Sequence, residues 1–150
     1  MTVASPAIAA PATAYAGFWR RVAALLVDQF ILLAVTLPIR LVVPIAFITG
    51  RDVATMIGQA MGAVTIAGLI WWFYFAGFES SRWQATPGKR LMGIRVTDAA
   101  GARASFARTT GRSFAKILSG LLCGIGYLMA AFTARKQALH DLIAGTLVVR

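Results

Sequence analysis

Asp28 sits inside an apolar run, VAALLVDQFILLAVTLPI, seven residues beyond Arg21. A helical rise of about 1.5 Å per residue puts the two roughly 10 Å apart on nearly one face, too far for a direct pair. A carboxylate at bilayer depth costs about 2.5–3.5 kcal/mol unless it finds a partner. Arg112 and Lys116, four residues apart, enter another apolar stretch, and Glu79 closes a third, WWFYFAGF. Two chemistries fit this set. In one, Asp28 pairs with the Arg112/Lys116 face and pins two helices together. In the other, Asp28, Glu79, Arg112 and Lys116 build an ion, proton or solute site.

Other reactive groups are sparse. His140 and Cys123 are the single His and the single Cys, so a zinc site and an intrachain disulfide are both excluded. No metal or other cofactor is expected. The segment ATPGKR, residues 85–90, has the GK pair of a phosphate loop. Trp83 stands where that loop needs Gly, however, and Arg90 follows Lys89 instead of Ser or Thr. Nucleotide binding is therefore rejected, and Lys89 and Arg90 are expected at a Pro87–Gly88 turn, on lipid phosphates. His140–Asp141 has no nucleophile or oxyanion site to work with, so no enzymatic activity is expected. Asp141 is expected to cap or anchor the C-terminal segment against the basic loop.

The elements that must position these groups follow from composition. Hydrophobic residues make up 59% of the 150, charged residues only 13%, and mean hydropathy is +0.73. Soluble domains carry about a quarter charged residues, so lipid is the expected solvent. The net charge of +10 would suit nucleic acid on a soluble fold. The long apolar runs assign it instead to basic loops at an anionic membrane surface. Spans are expected at about 19–39, 57–78 and 113–132. The Ala- and Pro-rich residues 1–16 read as an uncleaved disordered tail, and 17–150 as one transmembrane domain. Pro38 and Pro44 should bend the 41–48 stretch along the outer interface.

Residues 80–112 carry Arg82, Lys89, Arg90, Arg95, Arg103, Arg108 and Arg112 against Asp98 alone, whereas the loop between the first two spans offers Arg51 and Asp52. The positive-inside rule puts the 80–112 loop and the N-terminus in the cytoplasm. GIRVTD, AAGA and RAS read as a hairpin turning at Gly101, and the terminal GTLVVR as a strand that can pair with GIRV. The last apolar stretch is either a simple third span or a helical hairpin bent at Gly124 and Gly126. Only the hairpin keeps the C-terminus inside. Gly58 with Gly62, and Gly120 with Gly124, have the G-x-x-x-G spacing that admits a close helix neighbour. The fold class is thus an all-α membrane protein with two to three transmembrane helices, a re-entrant or interfacial helical segment and a small cytoplasmic β-hairpin or strand cap.

AGFWRRVAALLVDQFIL, ATPGKRLMGIRVTDAAGARASFAR and RKQALHDLIAGTLVVR resemble, in order and spacing, the three signature blocks of the RDD family. The resemblance runs from about residue 16 to 150. It implies Arg21 as the family's arginine, and Asp28 and Asp141 as its two aspartates. It also implies a bacterial inner-membrane protein, with transport of a small ligand as one role. The G-x-x-x-G faces supply the alternative role, a non-catalytic accessory protein packing against lipids or membrane proteins. Expected partners are anionic headgroups and a homo-oligomer or another membrane protein, not nucleic acid.

Overall fold

A computed structural model describes residues 14–49, 52–122 and 124–150. Arg51, Cys123 and most of the tail expected at 1–16 lie outside these. The described chain is mostly helical. Helix α1 covers Phe18–Thr49 and α2 Val53–Ser80. Both are long and apolar enough to cross a membrane, α1 through its Phe18–Leu41 stretch. In hydrocarbon only the helix satisfies every backbone polar group internally, so such runs have no competing conformation. Asp52 opens α2 by accepting from the Thr55 amide at 2.7 Å. Helix α1 runs on through Pro38 and Pro44, where an interfacial bend was expected. Each proline removes one amide donor, and neighbouring groups in a membrane helix can tolerate that loss.

The ends of α1 and α2 meet a compact polar region. Thr86 caps the short helix α3, Pro87–Leu91, with Pro87 at its first position, so the expected turn is one helical turn long. Strand β1, Arg95–Asp98, follows. Gly101 takes φ +83° at the turn after it, and the predicted hairpin is reduced to one bridge, Thr97 to Arg103. The partner of β1 is β2, Thr146–Val149, antiparallel with Val96 opposite Val148, as the sequence pattern anticipated. Tyr15 bridges Val149 on the far edge, and the Ala16 amide donates to the Val148 carbonyl at 2.8 Å. Residues 14–16 therefore belong to this cap, although their composition groups them with the tail.

The last apolar stretch forms α4, Phe106–Leu121, and α5, Ile125–Phe132, which meet at 102°. Gly124 makes the corner at φ +79°, a conformation that favours glycine. Gly126 lies against Ser119, where a Cβ would come within 2.8 Å. The chain then returns to the cap through α6, Leu139–Ala144, and β2. This is the bent alternative, and it counts as a third crossing only if the pair is one span.

Helix α4 is amphipathic in the inverted sense. Thr109, Arg112, Ser113, Lys116 and Ser119 are buried, while Phe114, Ile117, Leu118 and Leu121 are exposed. Arg112, Glu79, Thr86, Asp28 and Asp141 are among the largest fully buried side chains, and Phe30, Ile57, Val64 and Phe73 face outward. A polar interior with an apolar exterior is stable only where the exterior meets lipid. The apolar core is small: Ala16, Ala24, Ile94, Val96 and Val148, under the sheet.

Candidate functional site

The buried charges gather where α1, α2, α3, α4 and α6 converge. Glu79, in the last turn of α2, is fully buried and accepts from three cations: Lys89 at 2.5 Å, Arg112 at 2.8 Å and Lys116 at 3.1 Å. Arg112 also reaches Asp141 Oδ1 through Nε at 2.9 Å and Nη2 at 2.7 Å. Arg21 donates to the other oxygen of Asp141 and, at 2.6 Å, to the Lys136 carbonyl. Asp141 also caps α6 by accepting from the Ala138 amide at 3.1 Å. One continuous chain of charges thus ties five helices together.

Asp28 stands apart from that chain, which corrects the expected pairing with Arg112 and Lys116. Its carboxylate accepts from Tyr74 Oη at 2.8 Å, Thr86 Oγ1 at 2.5 Å and the Gly88 amide at 2.8 Å. Matched depth brought the Arg112/Lys116 face close, but Glu79 lies nearer to it and takes both cations. Lys89 is a second correction. It is buried on Glu79, not turned to lipid phosphate, because α3 folds back onto α1. Arg90 is exposed and stacks 4.5 Å over the Trp83 ring. Tyr74, Thr86 and Gly88 are site residues that reading the charges missed. The Thr-Pro-Gly run carried a helix-start signal that could have located the last two. The aromatic run at 71–78 also supplies the site: beyond Tyr74, its Phe75 ring lies 3.7 Å from the Lys116 ammonium.

Outside the spans the charges are strongly tuned. Burial, then repulsion from Arg112, brings Lys89 down from 10.5 to about 7, in spite of Glu79. Burial lowers His140 to about 3, against the pull of Asp141, so its ring is neutral at pH 7. Ser119 Oγ lies 3.3 Å from its Nδ1. Burial alone would raise Asp141, but Arg112, His140 and Arg21 together hold it well below the ordinary carboxylate range.

A cavity of about 120 Å³ opens inside this cluster. Arg21, Lys89, Arg112 and Lys116 line it together with Asp28 and His140. Apolar walls come from α1 at Val22 and Leu25, and from α5 at Ala130. The expected constellation of Glu79, Arg112 and Lys116 is therefore assembled, with Lys89 added, and Asp28 lies across the cavity from it in a separate hydrogen-bond set. Among the described residues no group of His, Cys, Asp and Glu could hold a metal ion.

The profile of the RDD family matches residues 15–145. The protein named "Uncharacterized protein YxaI" of Bacillus subtilis (strain 168) is 33% identical over 147 residues, covering 89% of this chain and 96% of that protein. No solved structure matches. The arginine and the aspartates that the resemblance singled out, Arg21, Asp28 and Asp141, all hold α1 to the segments made after it. With a match over nearly its whole length, and apolar helices of membrane-spanning length, this chain is a membrane protein that belongs to the RDD family.

Proposed function

We propose that the protein is a multi-pass, non-enzymatic carrier of a small ion or solute in a bacterial cytoplasmic membrane. The observation that carries this reading is the cavity lined by Arg21, Lys89, Arg112 and Lys116. A purely structural charge network has no need to enclose space, because desolvated ion pairs are strongest when closely packed. Two or three spans are few for a complete pathway, so the carrier works as a homo-oligomer. The Gly58–Gly62 face of α2 suits a second copy, since a Cβ at either glycine would meet nothing within 4 Å in this chain. The basic excess puts the 80–112 loop, the N-terminus and the cap in the cytoplasm. There Arg82, Arg90, Arg95 and Arg150 surround a shallow bowl beside exposed Trp83, suited to anionic headgroups rather than nucleic acid.

Reconstitution into vesicles tests the carrier reading. Purified protein should raise the flux of at least one of proton, potassium, sodium, chloride or a short carboxylate above that of empty vesicles. Equal flux for all five would sink it. The open Gly58–Gly62 face favours a second reading, an accessory protein that packs against a different membrane protein. Co-purification of a stoichiometric partner, with no homo-oligomer in mild detergent, would support that reading instead.

A further inference from the structure

We infer that the cavity between α1, α4 and α5 is a binding site for a small monoanion with an apolar end, of the short-chain monocarboxylate type, held by Lys89 and Lys116. The inference rests on reading this cavity as a ligand site, but it does not require transport.

The charge balance comes first. Four cations, Arg21, Lys89, Arg112 and Lys116, line the cavity. Among the described residues three carboxylates face them or the cavity: Glu79, Asp141 and Asp28. One formal positive charge is left over, and His140 adds none while neutral. An unmatched charge in so enclosed a place costs several kcal/mol, and one negative charge cancels it. The free donors point the same way. Lys89 and Lys116 share a single acceptor, Glu79 Oε1, although each ammonium has three N–H groups. The Phe75 ring lies 3.7 Å from Lys116 Nζ, so Lys89 keeps two N–H groups and Lys116 at least one for a further oxygen anion. Asp28 does not compete for them, because Tyr74, Thr86 and Gly88 occupy its oxygens.

Size and lining fix the rest of the ligand. At about 120 Å³ the cavity is smaller than the roughly 150 Å³ that takes a benzene ring. Val22, Leu25 and Ala130 make its wall apolar, so a short hydrocarbon tail loses nothing on entry and gains by leaving water. A bare inorganic ion would leave that wall unused.

The site has a second way to lose its extra charge, which is release of the Lys89 proton at about pH 7. Anion and proton therefore bind together. The anion stabilises protonated Lys89, so affinity is full below pH 7 and falls as pH rises above it. The other titratable groups lining the site are Arg21 and Asp28 of α1, Arg112 and Lys116 of α4, Tyr127 of α5 and His140 of α6, with Glu79 and Asp141 behind them on Lys89 and Arg112.

The test uses the full-length protein in mild detergent, with butyrate as the probe and 1-butanol, chloride and tetramethylammonium as controls. Tryptophan-detected unfolding and calorimetry should show saturable butyrate binding at pH 6, weakened roughly tenfold or more at pH 8.5. Lys89→Met should abolish it. So should Ala130→Leu, which fills the cavity without touching a charge; unchanged unfolding of that variant without butyrate shows an intact fold. The inference fails if butyrate binds no better than butanol or chloride, if tetramethylammonium binds instead, or if Ala130→Leu binds like the parent. Potassium flux without butyrate binding would overturn the anion site and leave the carrier reading standing. Butyrate binding without flux of any probe would do the reverse.

Discussion

Glu79 holds three cations with one carboxylate, and removing it does more than delete three contacts. Lys89 and Lys116 lose their shared acceptor, and Arg112 keeps only Asp141. Stranding a buried charge costs on the order of 3–5 kcal/mol, more than deleting a pair together. Glu79→Gln should therefore destabilise the detergent-solubilised protein by about that amount, and adding Lys89→Met should recover part of the loss in a double-mutant cycle. A Glu79→Gln protein within about 1 kcal/mol of the parent would show that the network does not hold the helices. At this scale the sequence is informative about which charges are buried and weak on which charges meet. Asp28, Glu79, Arg112 and Lys116 could be singled out because charges in or beside apolar runs are costly, and Asp141 through the family resemblance. The partners of Asp28 lie 46, 58 and 60 residues away, and two are neutral hydroxyls while the third is a backbone amide. No charge pattern reveals such donors.

Helix α3 is placed by backbone contact. The Gly88 amide bonds to Asp28, and a Cβ there would lie 2.3 Å from the Ala24 carbonyl oxygen and 2.7 Å from Asp28 Oδ1. Neither backbone can yield, so α3 docks on α1 only if residue 88 is glycine. Gly88→Ala should lift α3 away, expose Lys89, and cost about 1–3 kcal/mol or more. Its mark would be faster labelling of Lys89 by an amine-reactive reagent at pH 8. Unchanged labelling and stability would show that the close approach is absent in solution. Element types were the most legible part of the chain: apolar length gave α1 and α2, Gly124 gave the corner, and alternation gave the β1–β2 pair. Two readings missed for physical reasons. Pro38 and Pro44 break helices in water, where freed carbonyls find solvent, but α1 in lipid has no better conformation to adopt. Matched depth assigns the Arg112/Lys116 face of α4 to Asp28, but Glu79 takes both cations and neutral donors satisfy Asp28.

The whole molecule gathers its polar elements at one end of its helices, where β1, β2 and residues 14–16 share hydrogen bonds. Two strands in one sheet cannot lie on opposite sides of a membrane. Cysteine labelling at Ala99 and a reporter fused after Arg150 should therefore give the same side, and by the basic excess that side should be the cytoplasm. Opposite sides in the two assays would break the sheet; agreement on the outer side would keep the sheet and invert the orientation. The feature that closes this arrangement, the pair of Arg21 with Asp141, also bears on the order of synthesis. Helix α1 carries Arg21 and Asp28, and their side-chain partners lie in chain made later: Tyr74 and Thr86 for Asp28, and Asp141 for Arg21. Translation from the N-terminus therefore delivers α1 before these side-chain partners exist, and α6 supplies the carboxylate for Arg21. A ribosome that stops before Asp141 leaves an inserted chain whose Arg21 lacks its carboxylate partner.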